Sequence, residues 1–197
     1  MNRRLENLKS IAKEFLVFFK STLLPEIGLV VAGVIMYLFL ITVLSHEYQS
    51  RLMTGFVIFF SLLKVGFFSL TTLYKIEHHL LHNTLSFYRC LASFGSIVIL
   101  LILSFSIDYI CLSDCNLEAF SGLDHTTSII IKFFEFNYFS VVTFATIGFG
   151  DIVPRSIGAK FIVMLEITTS FFMVVFILSN FFNLHLQYSN SRNANNK

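Results

Sequence analysis

The sequence predicts an all-α membrane protein with four spanning helices and one re-entrant helix. Of its 197 residues, 55% are hydrophobic and 13% charged, too apolar a composition to enclose a single soluble core. Four apolar stretches, at 27–44, 52–74, 91–111 and 157–182, approach or exceed the ~20 residues that cross a hydrocarbon core of ~30 Å. A fifth run, 129–150, ends in Gly148-Phe149-Gly150 followed by Asp151 and Pro154, residues that stop a helix before it can cross.

Residues 1–24 come first. Leu5, Leu8, Ile11, Ala12, Phe15, Leu16 and Phe19 recur at helical spacing, opposed by Arg3, Arg4, Glu6, Lys9, Lys13 and Glu14, the pattern of an amphipathic interfacial helix. The long basic region and the absence of a small-residue cleavage pattern argue against a secretory signal, so this N-terminus is expected to be retained. Residues 25–90 then supply two peripheral spans and the connection between the second and third spans. Lys and Arg gather before the first span, in that connection (Lys75, Arg89) and at the chain's end (Arg192, Lys197), which places these regions and both termini in the cytoplasm. The re-entrant run enters from the opposite side. Residues 183–197, polar and Asn-rich, are expected to form a disordered cytoplasmic tail. Phe dominates the aromatics, with 25 residues against 7 Tyr and no Trp, leaving Tyr48, Tyr74, Tyr109 and Tyr138 as candidates for interfacial anchoring.

The chemistry concentrates in Thr146-Ile147-Gly148-Phe149-Gly150-Asp151. A dehydrated cation crossing a bilayer needs its water oxygens replaced, and a ring of backbone carbonyls does this without adding net charge. Gly148 and Gly150 permit backbone angles that align successive carbonyls toward one axis, while Ile147 and Phe149 face backwards into packing. Thr146 contributes a hydroxyl below them. One such loop cannot encircle an ion, and the chain carries one, so four copies around an axis complete the ring: a homotetramer.

The longer run Tyr138-Phe139-Ser140-Val141-Val142-Thr143-Phe144-Ala145-Thr146-Ile147-Gly148-Phe149-Gly150-Asp151-Ile152-Val153-Pro154 resembles the pore helix and selectivity filter of potassium channels. Ile157-Gly158-Ala159-Lys160 is similar to the start of the inner helix in voltage-gated-type members. The resemblance covers residues 91–182, read as a pore domain of outer helix, pore helix, filter and inner helix. It implies that the carbonyls of Thr146, Ile147, Gly148 and Phe149, with the Thr146 hydroxyl, coordinate potassium as the permeant ion, and that no cofactor is needed. It also implies that Gly150, Asp151, Tyr138, Phe139 and Val142 support the filter. The pore-helix terminus at Thr143 would face the cavity, and Phe171, Val174 and Leu178 would line the lower pore. Phe149 departs from the commoner Tyr, Tyr138 and Phe139 from a pair of Trp, Ala145 from a frequent Thr, and Ser170 from a hinge glycine.

Outside this segment, Lys64 and Glu166 fall at comparable depth in the second and fourth spans; they either form a buried pair or make no contact, with Lys64 snorkelling or sensing voltage. No Arg ladder accompanies Lys64, which argues against strong voltage gating. His78, His79 and His82 with Glu77 are either exposed residues of a connection or a metal- or proton-responsive cluster. Cys111 and Cys115 either pair outside the membrane or stay free. Asp114, Glu118 and Asp124 either focus cations or are simply solvated. No Ser-His-Asp order, zinc motif or phosphate loop supports an enzyme, and nothing points to nucleic acid. The partners expected are further copies of the chain, the lipid bilayer and potassium, in a multi-pass protein of the cell membrane. A non-selective cation channel of the same architecture, or a non-conducting accessory membrane protein, is the alternative.

Overall fold

The computed structural model describes the backbone of residues 24–25, 27–39, 50–82, 87–123 and 128–195, and the side chains of the same residues apart from 50–51, 72–82, 87–93, 177 and 179–195. In chain order the elements are α1 (Ile27–Phe39), then α2 (Ser50–His82), α3 (Phe87–Cys115), β1 (Phe120–Ser121), α4 (Ile129–Phe144), β2 (Val153–Pro154) and α5 (Ile157–Asn195). Among the described residues, three helices contain stretches long and apolar enough to cross a membrane: Leu52–Thr71, Phe94–Cys115 and Ile157–Phe176. This is a multi-pass membrane protein. Of the expected first span, 27–44, α1 is the described part; it rises only about 20 Å and does not cross on its own. The interfacial helix expected over 1–24 falls outside the described residues except at its last position.

The ionisable residues Lys64, Asp108 and Glu166 in these apolar helices point inward, because lipid offers them no partner. On α2 the buried face is Val57, Ser61, Lys64 and Phe68; on α3 it includes Phe94, Ile97, Leu101, Ser104, Asp108 and Leu112. Both stripes advance by three or four residues, the spacing of one helix face, and α2 and α3 pack together. Where the stripes meet, Lys64 Nζ lies 2.6 Å from each carboxylate oxygen of Asp108 and 3.2 Å from the Ser104 carbonyl oxygen. The Ser61 hydroxyl donates to Asp108 at 2.9 Å, and the rings of Phe60 and Phe105 lie 5.5 and 6.0 Å from the ammonium. Lys64 therefore neither snorkels nor reaches Glu166: a carboxylate on the neighbouring helix satisfies it at membrane depth.

The structure corrects some further expectations and decides between alternatives left open at Cys111 and Cys115. Tyr109 is no interfacial anchor; it is fully buried, its ring 5.6, 6.1 and 5.0 Å from those of Phe120, Phe136 and Phe139. Cys111 and Cys115 both lie on α3 and are free thiols. Residues 183–195, expected to be without structure, continue α5 as helix, since no Gly or Pro interrupts the chain from Ala159 onward. His78, His79 and His82 sit on the last turns of α2 rather than in a connection; their side chains lie outside the described residues.

Candidate functional site

At 16 residues, α4 is about 24 Å long and too short to cross a bilayer. It enters and stops. Its buried face, formed by Phe136, Phe139, Ser140, Val142 and Thr143, packs against α3 and α5. The stop is a Schellman motif: Ala145 is the C-cap, the Thr146 amide donates to the Thr143 carbonyl at 2.9 Å and the Ile147 amide to the Val142 carbonyl at 3.0 Å. This motif needs a left-handed residue just past the cap, normally glycine. Here it is Thr146, at φ 58°, an unusual conformation for a β-branched residue and the kind of backbone strain that collects at functional sites.

Positive φ then recurs at Gly148 (58°) and Gly150 (79°), while Ile147 and Phe149 between them have none. In an ordinary strand successive carbonyls point to opposite sides. Reversing the sign of φ at every second residue turns alternate peptide planes over, so successive carbonyls can share one side. Residues 146–150 therefore form a strip of backbone suited to presenting oxygens along one edge, anchored to α4 by the two amide bonds at its base.

The outer end of the strip is held from two directions. The Tyr138 hydroxyl donates to the Asp151 carboxylate; this bond holds the Asp151 carboxyl below the usual carboxylate range and pushes the Tyr138 phenol up. Behind it, β1 and β2 pair antiparallel, with Phe120 opposite Pro154 and Ser121 opposite Val153. The Arg155 amide donates to the Ala119 carbonyl at 2.8 Å, and its guanidinium to the Ser121 hydroxyl at 3.0 Å. Gly122, at φ 93°, lies so close that a Cβ there would fall 1.8 Å from the Asp151 carbonyl oxygen. After this clasp the Ser156 hydroxyl accepts from the Ala159 amide at 3.1 Å and so caps the start of α5.

Of the residues singled out in the sequence, Tyr138 and Asp151 are brought into contact. Phe139 and Val142 are buried on the inner face of α4, as is Thr143, whose carbonyl serves the turn. Ile147 and Phe149 are 57% and 67% exposed within the single chain. Phe171, Val174 and Leu178 share one open face of α5 with Met164 and Ile167, again at spacings of three and four, so a continuous apolar stripe is left uncovered by the chain's own helices. At the head of α4, Asp114 is neither free nor simply solvated: it accepts from the Tyr37 hydroxyl at 2.7 Å and pairs with Lys132, tying α1 and α4 to the end of α3. Sequence reasoning missed Asp108, Tyr109 and Ser140 as members of buried polar clusters. The signal available was a Ser or Asp at helical spacing on an otherwise apolar face.

Residues 95–187 match the model of a family described as "Ion channel". A 38-residue stretch is 50% identical to the potassium channel protein kcv of Paramecium bursaria Chlorella virus 1, covering 19% of this chain and 40% of that protein. The chain thus matches less than half the length of that relative. No solved structure matches the chain.

Proposed function

We propose that this chain, which matches an ion channel family over residues 95–187 and is similar over 38 residues to a viral potassium channel protein, is one subunit of a homotetrameric pore that conducts potassium passively and selectively. The observation that carries this reading is the alternation of φ sign at Thr146, Gly148 and Gly150, placed directly after a helix too short to cross. Oxygens arrayed along one edge of a strip, repeated four times around an axis, replace the hydration shell of a cation. The carbonyls of Thr146, Ile147, Gly148 and Phe149, with the Thr146 hydroxyl, are the coordinating groups in this reading.

Two further features support four copies. A single strip cannot encircle an ion. The open stripe Met164, Ile167, Phe171, Val174 and Leu178 has the spacing that seats one helix against others around an axis, with α5 as the inner helix, α3 as the outer helix and α4 as the pore helix. In this arrangement the apolar stretch 27–44, of which α1 is the described part, is a fourth span, both termini face the cytoplasm of a cell membrane, and α1 and α2 are peripheral.

The test is the reversal potential of the purified chain in a planar bilayer, with potassium on one side and sodium on the other, together with its mass in detergent. A reversal near the potassium equilibrium potential from a tetramer is the expected result. Current reversing near zero overturns potassium selectivity in favour of a non-selective cation channel. A monomer or dimer without current overturns the pore altogether and favours an accessory role.

A further inference from the structure

Glu166 is fully buried in the middle of the apolar stretch Ile157–Phe176 of α5, on the face opposite the open stripe, and the conduction reading gives it no task. Its two carboxylate oxygens are divided between two different helices. Oε1 accepts from the Ser140 hydroxyl of α4 at 2.5 Å; Oε2 accepts from the Tyr109 hydroxyl of α3. Ser140 Oγ also lies 3.0 Å from the Ile102 carbonyl oxygen of α3. One carboxylate therefore joins the three helices on which the proposed pore is built, behind the pore helix and out of reach of any permeating ion.

Five residues separate Ser140 from Thr146, and helix and turn hydrogen bonds run through them. Ser140 belongs to the last turns of α4; the carbonyls of Val142 and Thr143, in the next half-turn, accept the amides of Ile147 and Thr146. Ser140 is itself buried and flanked on its helix by Phe139 and Phe136, whose rings close on Tyr109 and Phe120. A displacement of α5 at Glu166 is thus passed to Ser140, then through one helical turn to the two amides that fix the base of the strip. Buried polar networks of this kind have few alternative geometries, because each partner left unsatisfied is costly.

We propose that Glu166 is a positioning residue for the filter: through Ser140, and braced by Tyr109, it makes the inner helix and the pore helix move as one piece, so that the position of α5 sets the geometry of residues 146–150. The proposal rests on the conduction reading above. It assigns Glu166 no contact with the ion. Its consequence is that selectivity and sustained conduction depend on a hydroxyl, Ser140, that never meets the pore.

Ser140→Ala in the full chain is the decisive variant, since it removes one hydroxyl and little volume. Bi-ionic reversal potentials are recorded for wild type, Ser140→Ala, Tyr109→Phe, Glu166→Gln and Ser140→Ala/Glu166→Gln, each checked for the wild-type oligomer in detergent. The expected result is a rise of about tenfold in the sodium-to-potassium permeability ratio for Ser140→Ala, with faster decay of current and the oligomer intact, the scale on which network partners couple. Glu166→Gln keeps an oxygen to accept from Ser140 and should stay within about threefold of wild type, while adding it to Ser140→Ala should change nothing further. Wild-type selectivity and decay in both Ser140→Ala and Tyr109→Phe would overturn the positioning role. A wild-type chain that fails to select potassium overturns the conduction reading instead, so the two failures are distinguishable.

Discussion

Lys64 offers a perturbation whose magnitude follows from its surroundings. Its ammonium sits 2.6 Å from both oxygens of Asp108, with side chains 4% and 1% exposed, and the Ser61 hydroxyl is the other donor that Asp108 has in the structure. Lys64→Met preserves most of the volume and removes the cation. Asp108 is then left at membrane depth with one hydroxyl to answer a full charge, a situation that costs about 3–5 kcal/mol when one partner of a buried pair is removed. Changing both residues, as Lys64→Met/Asp108→Leu, removes the charge together with its partner and replaces both with apolar groups. Such swaps are commonly neutral or stabilising. Reversible unfolding of the chain in mixed micelles should therefore show a loss of about 3 kcal/mol or more for the single variant and a return to within about 1 kcal/mol of wild type for the double. A single variant costing less than about 1 kcal/mol would mean that the pair is hydrated or unformed. A double variant whose loss equals the sum of those of Lys64→Met and Asp108→Leu measured singly would mean that the two residues do not interact. Either result would refute the placement of α2 against α3 through this pair.

Gly122→Ala should damage the proposed filter from outside it: its Cβ would meet the Asp151 carbonyl oxygen at 1.8 Å, and φ 93° is unfavourable for alanine. We expect loss of selective current with the oligomer retained, read by the bi-ionic reversal potential; an unaltered reversal would show that the clasp yields freely. Acid sensitivity should separate Tyr138→Phe from wild type. Asp151 is held below its ordinary value, first by the Tyr138 hydroxyl, so the bond's stabilisation is complete above the ordinary aspartate pKa of ~3.9 and is lost as pH falls through the lowered folded value. Removing the hydroxyl should move the midpoint of acid-induced current loss upward, toward the ordinary carboxylate range; coincident titrations of current in the two proteins would show that the bond does not form.

What could be read from the sequence, and what could not, divides along physical lines. Gly148 and Gly150 announce a backbone that side chains forbid, and with Pro154 they end the fifth apolar run, so the re-entrant helix and the strip after it were legible. The left-handed turn at Thr146 was not. Local preference sets a β-branched residue against it, and only the demand of the helix end for two capped carbonyls, Val142 and Thr143, imposes it. The β1–β2 clasp is two residues on each side, below any periodicity that alternation reveals. The tail was misread because its composition is polar, whereas the backbone follows the uninterrupted helix before it.

Lys64 and Glu166 were conspicuous from the start, read either as a buried pair or as making no contact with each other; the structure gives each its own partners, and the reason is general to apolar helices. Depth alone pairs residues that share a level in the bilayer; face decides which of them meet. Lys64 lies on the stripe Val57, Ser61, Lys64 and Phe68, and Asp108 on the stripe Leu101, Ser104, Asp108 and Leu112. Each stripe carries a serine one turn before its charge, and meshing those stripes brings the ion pair together. Glu166, on a third face with Ile162, Thr169 and Met173, is turned toward α3 and α4 instead, where Tyr109 and Ser140 supply hydroxyls rather than a cation. In lipid an ionisable side chain is too costly to be buried without a partner, so Lys64, Asp108 and Glu166 each mark a contact, and the stripe tells which neighbour makes it; a serine is a weaker marker, since the Ser104 and Ser113 hydroxyls are buried without a hydrogen-bond partner among the described residues. Applied to this chain, that rule joins α2 to α3 through a charge pair and α5 to the pore helix through hydroxyls, which is the division of labour between peripheral support and filter positioning that the variants above are designed to separate.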